Sequence, residues 1–290
     1  MFDRVAIIGT GLIGASLALA LKRHGLANHV VGCARTQETI DKALALGILD
    51  SGTTDIAAAV NNADFIMLAA PVGAFRDLAK AMAPHLKPGA IVSDAGSVKQ
   101  AVIDTVAPEL PAGVHFIPAH PIAGTEHSGP EAGFAELFEG RWCILTPPPE
   151  SDPTAIEKVT QMWRGIGMQT EIMDAEHHDK VLAITSHLPH LIAYTIVGTA
   201  TDLEAHTKSE VFKFAAGGFR DFTRIAASDP VMWRDVFLNN REAVLDMLGR
   251  FTEDLSALQK AIRNGDGKTL EDHFARTREI RRGVIDAKQA

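Results

Sequence analysis

The segment AHPIAGTEHSG at residues 119–129 concentrates side chains that can do chemistry. It holds two histidines, a glutamate, two hydroxyl residues and two glycines, and its pattern fits neither a helix nor a strand. The apolar runs HFIPA before it and GRWCILT after it predict strands on both sides. The imidazole of His120 titrates near neutral pH, so at a strand end it is a candidate catalytic acid or base. The alternative is a structural histidine with satisfied hydrogen bonds.

A glycine pattern near the start of the chain indicates a phosphate-binding turn. Residues 5–8 form an apolar run typical of a buried parallel strand, and the motif G-x-G-x-x-G follows at residues 9–14. In such a turn the first glycine permits a tight bend, the second lets the backbone approach a pyrophosphate, and the third lets helix and strand pack closely. The alternative is an ordinary glycine-rich turn. The candidate dinucleotide-binding residues are Gly9, Thr10, Gly11, Leu12, Ile13 and Gly14.

The end of the second predicted strand bears on the choice of dinucleotide. An acidic residue there would bind the ribose hydroxyls of NAD, but the sequence is GCART, without an acid. Arg35 can stack on adenine or hold a 2′-phosphate and Thr36 can donate to it, unless Arg35 is simply a solvated surface residue. The sequence therefore predicts NAD or NADP, leaning toward NADP or use of both. Ala70 and Pro71, after the third predicted strand, are expected at the same edge.

Ser97 lies in a further loop expected at this edge, SDAGSVKQ at residues 93–100. The spacing from Ser97 to Gln100 matches a capping box, so a helix that starts after Ser97 would explain the serine without any ligand. A serine at the rim of a cofactor cleft can also reach the bound molecules. Ser97 is therefore kept as a candidate catalytic residue.

Strands and helices alternate through the first half of the chain. Strands are predicted at residues 5–8, 29–34, 64–71, 90–96, 114–120 and 142–147, with a weak one at 168–173. Helices fit residues 15–25, 36–47, 74–83, 97–107 and 154–165. This alternation predicts an α/β fold, with a Rossmann-type doubly wound and mostly parallel sheet in a dinucleotide-binding domain over residues 1–173.

The second half, residues 174–290, carries helical patterns only and predicts an all-α domain for substrate binding and dimerisation. Helices are expected over 175–200 with a kink at Pro189, over 228–265 with Ser228 or Asp229 as cap, and over 267–287 as a charged surface helix. A seam of apolar residues recurs at alternating steps of four and three: Val244, Leu248, Phe251, Leu255, Leu258 and Ile262. The seam indicates either packing within the domain or a homodimer interface.

Composition excludes several classes of protein. The net charge of −8 and the lack of a long basic run argue against nucleic acid or an anionic membrane as a partner. No apolar run reaches the ~18 residues of a membrane span and no basic signal region is present, so a cytoplasmic protein is expected. The two cysteines, Cys33 and Cys143, lack metal-site spacing, and His187 and His190 lack a third ligand, so no metal is expected. The expected partner is a small-molecule substrate.

Five segments together resemble one family: GTGLIGASLA, SDAGSVK, HPIAGTEHSG, SHLPH and GGFRDFTRIAASDPVMWRD. Their order and spacing are similar to those of the prephenate/arogenate (cyclohexadienyl) dehydrogenases of tyrosine biosynthesis. The resemblance implies NAD(P)-dependent oxidative decarboxylation of prephenate to 4-hydroxyphenylpyruvate, of arogenate to tyrosine, or of both. It leaves the preferred substrate and dinucleotide open. Neither a fused mutase before residue 4 nor a regulatory domain after residue 290 is expected.

The resemblance also implies roles for individual residues. His120 would take the proton of the substrate C4 hydroxyl, and Ser97 would hydrogen-bond the same hydroxyl and orient the histidine and the nicotinamide. Arg224 would bind the substrate carboxylate, which a planar guanidinium suits. Three further substrate contacts are expected: Thr125 in the loop after His120, His190 as a donor suited to the pyruvyl group of prephenate, and Trp233, for which core packing is an equal interpretation.

Alternatives remain for other residues and for the whole chain. Asp221 could orient Arg224 or form only an i, i+3 pair with it, and His177 and His178 are expected as solvated residues at a helix start. A β-hydroxyacid dehydrogenase is the competing enzyme class and would need a catalytic lysine, for which Lys180 is the nearby candidate. A non-catalytic dinucleotide sensor would keep the glycine motif without needing the other site residues.

Overall fold

A six-stranded sheet forms the centre of the N-terminal half. The computed structural model, which describes residues 1–202, 210 and 213–286, places the strands in the order β3-β2-β1-β4-β5-β6 with every neighbouring pair parallel. They are β1 Phe2–Ile8, β2 Ala27–Cys33, β3 Ser51–Thr53, β4 Phe65–Leu68, β5 Ile91–Asp94 and β6 His115–Phe116. This is the doubly wound Rossmann order, with its switch point between β1 and β4, and it confirms the predicted fold class.

Helices connect these strands and cover both faces of the sheet. They are α1 Leu12–Arg23, α2 Gln37–Ala45, α3 Ile56–Val60, α4 Phe75–Met82 and α5 Gln100–Val106. Alternate residues of β1 enter two apolar cores, Val5 and Ile7 on one face and Ala6 and Ile8 on the other. Because both faces are covered, the central strands are continuous apolar runs that stand out in the sequence. The sequence prediction misses β3 and α3, because β3 is three residues without an apolar run and α3 is only five residues long.

A second sheet of three strands takes up segments that the sequence assigns to the first. The strand predicted over 114–120 is wrong in one respect: it divides at Pro118 into β6 and β7 (Ala119–Pro121). β7 pairs antiparallel with β8 (Trp142–Leu145), which pairs parallel with β9 (Gln169–Ile172). Proline has no amide hydrogen to donate within a sheet, so the chain leaves the first sheet at this residue.

The chain continues through α6 (Pro153–Gly165) into an almost unbroken helical stretch. α7 (Ala175–Leu182) leads into a π-helical turn (Ala183–His187) and then into α8 (Leu188–Thr201). The irregularity predicted at Pro189 takes this form, because the proline lacks the amide hydrogen that would bond within the preceding turn.

The remaining described helices differ from the prediction at one point. They are α9 Gly217–Thr223, α10 Pro230–Asn239, α11 Arg241–Asn264 and α12 Gly267–Asp286. The single helix predicted over 228–265 is therefore two helices that break at Asn240, whose side chain bonds to α7 and to the π-helical turn. Asp229 rather than Ser228 caps α10, since its Oδ1 accepts from the Met232 N–H at 2.8 Å.

The chain forms two compact units, residues 1–241 and 242–290. The first contains the Rossmann sheet together with α7 to α10, so it extends beyond the predicted dinucleotide-binding domain. The division at residue 173 into a dinucleotide-binding and a substrate-binding domain stays a prediction. The second unit exposes large apolar side chains, two of them from the predicted seam: Leu245, Leu255, Ile262, Phe274 and Ile280.

One described helical stretch, Ala175–Thr201, has the length and hydropathy of a membrane-crossing helix. The sequence prediction of no such span overlooked it because histidines and a proline interrupt the apolar run. Length and composition do not distinguish a membrane helix from the core helix of a globular domain. His178, Asp179 and His187 in this stretch are buried and hydrogen-bonded to other protein groups, and 28% of its most apolar window is buried.

Candidate active site

The turn between β1 and α1 is shaped by its missing side chains. Gly9 has a φ of 103°, and a Cβ there would lie 2.6 Å from the Ala69 carbonyl oxygen at the end of β4. A Cβ on Gly14 would lie 2.0 Å from the Gly9 carbonyl oxygen. No atom of the described residues lies within 4 Å of a Cβ built on Gly11. The turn is therefore packed on two sides and open at Gly11, as the approach of a pyrophosphate requires.

The other residues predicted to bind the dinucleotide lie within this turn or directly after β4. Thr10 and Leu12 are buried and Ile13 packs against the core, so these side chains face the protein. Ala70 and Pro71 follow β4 beside the turn, and the Ala70 nitrogen is 2.8 Å from the position of a Cβ on Gly9. The predicted cofactor residues thus gather at the switch point between β1 and β4.

At the end of β2, Arg35 and Thr36 differ in whether their side chains are free to bind a ligand. The Thr36 Oγ1 accepts from the Thr39 N–H at 3.3 Å and so caps α2. This cap explains the threonine without any ligand. Arg35 is exposed and is the member of the pair whose side chain can reach a ligand at this edge.

His120 lies on β7 and is joined to two residues of α7. Its Nδ1 is 2.9 Å from Nε2 of His178, and Nδ1 of His178 is 2.8 Å from Oδ1 of Asp179. All three residues are buried. The prediction that His178 is solvated is therefore wrong, because α7 turns this residue toward β7, while its neighbour His177 is exposed as expected.

Asp179 also binds the start of α5. Its Oδ1 accepts from the Lys99 N–H at 2.8 Å, and its Oδ2 accepts from the Gln100 N–H at 3.0 Å. The capping box predicted at Ser97 is wrong, because α5 begins at Gln100 and a carboxylate from another helix satisfies its first N–H groups. Ser97 instead lies half-buried in the β5–α5 loop.

A fully buried ion pair between Lys99 and Asp94 fixes the residue before His120. Lys99 Nζ donates to the Ala119 carbonyl oxygen at 2.7 Å, and Asp94 Oδ1 accepts from the Ala119 N–H at 3.2 Å. β7 is thereby held against the carboxyl end of β5. Sequence reasoning missed this pair and the His178–Asp179 pair, because nothing in the local pattern marks these polar residues as buried.

Burial governs the protonation of the site. It lowers the pKa of His120 well below the usual range, and the positive charge of His178 or Lys99 lowers it further. Burial also lowers the pKa of His178, and that of His187 to about 4. At neutral pH His120 is therefore an uncharged imidazole, the form that can accept a proton.

Two of the predicted substrate residues, His190 and Trp233, stack on each other with ring centroids 3.7 Å apart. Nδ1 of His190 lies 2.9 Å from the Ser186 carbonyl oxygen, and since a carbonyl only accepts, this nitrogen donates. Burial lowers the pKa of His190 and favours its neutral form, and Arg224 acts in the same direction. Neutral His190 therefore offers Nε2 as an acceptor, which corrects the expectation of a donor at this position.

Arg224 follows α9 and pairs with the loop after β7. Its Nη1 is 2.8 Å from Oε2 of Glu126, while the neighbouring Thr125 is exposed. The predicted orienting residue Asp221 pairs instead with Arg220, at 3.5 Å. Glu126 is thus a partner that sequence spacing did not reveal.

The geometry does not support a catalytic role for Lys180 or a metal site. Lys180 is exposed and pairs with Glu176 at 2.5 Å on the surface of α7. Cys33 and Cys143 are buried free thiols. Within the described ranges there is no cluster of three or more residues that could hold a metal ion.

The fold and the site define a Rossmann-type, dinucleotide-dependent oxidoreductase. A model of the prephenate dehydrogenase nucleotide-binding domain matches residues 17–172, and one of the prephenate dehydrogenase dimerization domain matches residues 174–276. The chain belongs to the prephenate dehydrogenase family.

Relatives and solved structures agree with this assignment. The chain is 44% identical to a cyclohexadienyl dehydrogenase of Zymomonas mobilis, over 97% of this chain and 96% of that protein. It is 33% identical to a prephenate dehydrogenase of Bacillus subtilis, over 98% and 76%. A crystal structure of prephenate dehydrogenase from Aquifex aeolicus in complex with hydroxyphenyl propionate and NAD+ has a TM-score of 0.91 and 37% identity, covering 98% of this chain and 99% of that one. The structure of Synechocystis arogenate dehydrogenase has a TM-score of 0.80 at 27% identity, covering 97% and 99%.

Proposed function

We propose that this chain catalyses NAD(P)-dependent oxidative decarboxylation of prephenate to 4-hydroxyphenylpyruvate, of arogenate to tyrosine, or of both. The observation that carries the proposal is the buried, uncharged His120 beside the carboxyl end of β5. Its Nδ1 is engaged by His178 at 2.9 Å, which leaves Nε2 as the ring nitrogen that can face a substrate. Relatives named for each of the two substrates support both parts of the proposal.

The residues present fit a nicotinamide dinucleotide. A Cβ on Gly11 would meet open space, which suits the approach of a pyrophosphate, and the strand order puts that turn at the switch point of the sheet. When bound, the dinucleotide supplies the acceptor for the hydride that leaves the substrate C4.

The protein's own contribution is to move one proton and hold anions. Nε2 of His120 accepts the proton of the C4 hydroxyl, and Ser97 hydrogen-bonds that hydroxyl and orients it. Arg224 binds a substrate carboxylate, and its ion pair with Glu126 breaks when the substrate binds. Loss of the ring carboxylate as CO2 then makes the ring aromatic.

The test is a set of initial rates of dinucleotide reduction, with prephenate and arogenate each paired with NAD and NADP. Reduction that depends on one of these substrates, with 4-hydroxyphenylpyruvate or tyrosine as product, supports the proposal. If neither substrate reduces either dinucleotide while the dinucleotide binds, the proposed activity is refuted.

Substrate choice is proposed to depend on His190. With its Nδ1 committed to Ser186, the neutral ring offers an acceptor, which suits the ammonium group of arogenate. This favours use of arogenate beside prephenate, since a protonated His190 would suit the pyruvyl group. The ratio of kcat/KM for arogenate to that for prephenate should therefore rise with pH as His190 loses its proton.

Arg35→Asp should shift the enzyme from NADP toward NAD. The arginine would lose a charge-assisted hydrogen bond to the 2′-phosphate, about 1.5–3 kcal/mol, and the new carboxylate would repel that group. The NADP-to-NAD ratio of kcat/KM should fall by about 10-fold to 100-fold. Arg141→Asp, the same charge change at an exposed position directly before β8, is the control. An unchanged ratio would show that Arg35 is only a solvated residue.

Arg224→Ala should mainly raise KM. The Arg224 side chain is 57% exposed in its pair with Glu126. We therefore expect the variant to lose a single charged hydrogen bond to the substrate, about 1.5–3 kcal/mol, rather than a buried ion pair. KM should rise by about 10-fold to 100-fold, with a smaller change in kcat. Arg220→Ala, on α9 and exposed, is the matched control and should keep the original KM. Equal effects of the two variants would contradict a carboxylate contact at Arg224.

A homodimer built through the second unit is proposed, together with a cytoplasmic location. The exposed Leu255 and Ile262 of the seam would need an apolar partner, and the matching dimerization-domain model supports this. Sedimentation at micromolar concentration should give a dimer, and Leu255→Glu with Ile262→Glu should give a monomer. Leu46→Glu, exposed to a similar degree but outside residues 174–276, is the control. A wild-type chain that sediments as a monomer would contradict the proposal.

A further inference from the structure

The residues behind His120 form a chain of three side chains whose hydrogen positions can be assigned. Asp179 lies at one end, and its carboxylate accepts from two backbone N–H groups, those of Lys99 and Gln100. A carboxylate in this environment can only accept from the third group, Nδ1 of His178, which therefore carries a hydrogen.

The hydrogen position on His178 determines the hydrogen position on His120. Burial lowers the pKa of His178 and favours its neutral form, so with Nδ1 protonated its Nε2 is an acceptor. The hydrogen between the two rings then belongs to Nδ1 of His120, 2.9 Å away. A neutral His120 with a hydrogen on Nδ1 has its lone pair on Nε2, the ring nitrogen that His178 does not engage.

We propose that His178 and Asp179 are positioning residues that act through His120: they select its Nδ1–H tautomer, present Nε2 as the base, and stabilise the imidazolium that forms when it accepts a proton. The inference rests on the proposed function for the identity of the proton donor. The tautomer of His120 is a property of the free protein and does not depend on that function.

The surroundings of the chain fit this role. Asn240 donates to the Asp179 carbonyl oxygen at 2.8 Å and lies 3.0 Å from Nδ1 of His187, so the backbone of α7 is tied to the end of α10 at this residue. The charged and titratable groups around the two rings are Lys99 and Asp94 beside β5, Cys143 on β8, and His187 in the π-helical turn. Asp94 neutralises Lys99 directly, which leaves Asp179 as the anion bonded to the His178–His120 chain.

The experiment combines ¹⁵N spectroscopy of the histidine rings with steady-state kinetics, in the full-length protein. The ring signals of His120 are assigned by their loss in His120→Asn. In the wild type, Nδ1 should be protonated and Nε2 unprotonated. In Asp179→Asn one amide oxygen replaces the two carboxylate oxygens that accept from three donors, and the negative charge is lost. The bond that keeps the hydrogen on Nδ1 of His178 is then weakened, so His120 should show a reduced preference for the Nδ1–H tautomer. The kcat of this variant should fall by about 10²-fold to 10⁴-fold, with KM and dinucleotide affinity within about twofold of the wild type.

A second variant covers the case in which Asp179→Asn does not fold, since Asp179 also binds α5. His178→Phe keeps a buried ring and leaves the contacts of Asp179 with Lys99 and Gln100 in place. His120 should then lose its tautomer preference, and kcat should fall at least about tenfold. His177→Phe, one residue earlier on the same helix and exposed, is the matched control and should change neither quantity.

The outcomes separate this inference from the proposed function. An Nε2–H tautomer of His120 in the wild type, or an unchanged tautomer and kcat in His178→Phe, would overturn the inference even if prephenate is oxidised. The expected tautomers without oxidation of prephenate or arogenate would refute the proposed function and leave the role of His178 and Asp179 in place.

Discussion

His120→Asn is expected to lower kcat by about 10²-fold to 10⁴-fold, the usual contribution of a general base, with little change in KM. The reason is that Nε2 of His120 interacts most strongly as the proton leaves the substrate hydroxyl, so its loss affects the transition state more than the bound ground state. Dinucleotide affinity should be unchanged, because the glycine turn lies elsewhere in the sheet. Initial rates over a range of substrate concentrations, together with a dinucleotide binding titration, measure all three quantities.

The pH dependence of the wild type supplies a second measurement. His120 acts in its neutral form, and burial lowers its pKa, so kcat should fall when the pH drops well below the usual titration range of histidine. This acid limb should be missing from the residual activity of His120→Asn. A variant that kept the full kcat across the pH range would show that the loop at residues 119–129 is scaffold, and the proposed mechanism would be lost.

Lys99→Met is expected to lower the free energy of unfolding by about 3–5 kcal/mol, the usual effect of removing one partner of a buried ion pair. Both side chains of the Lys99–Asp94 pair are fully buried, so the variant leaves the Asp94 carboxylate without a countercharge in a water-poor environment. The Ala119 carbonyl oxygen also loses its donor, which weakens the attachment of β7 to β5. Urea denaturation at neutral pH measures the change.

The control for this variant is Lys180→Met, which breaks the exposed pair with Glu176. That loss should be below about 1 kcal/mol, because water screens the pair. Adding Asp94→Leu to Lys99→Met should restore part of the stability by removing the isolated charge. Recovery should be incomplete, because Asp94 also accepts from the Gly96 N–H. Equal losses in Lys99→Met and Lys180→Met would mean that burial of the first pair has no energetic consequence.

The sequence by itself determined the Rossmann sheet and its cofactor edge. The central strands are apolar runs because both of their faces are covered, and the turn at residues 9–14 needs glycine because side chains at Gly9 and Gly14 would overlap backbone atoms. These are local requirements, and each leaves its mark within a few consecutive residues. The irregularity at Pro189 and the cap at Asp229 followed from local backbone chemistry in the same way.

Only the tertiary structure decided which polar residues meet His120. His120 and His178 are 58 residues apart in the chain, and Lys99 and Asp179 are 80 apart, so no local spacing reveals their hydrogen bonds. The side chain of His178 looks like that of the exposed His177 until α7 packs against β7 and buries one of them. The partner of Arg224 was likewise chosen by the approach of the loop that carries Glu126 rather than by helical spacing to Asp221. Burial and long-range pairing give these side chains their protonation states, and both arise only when elements distant in sequence are packed together.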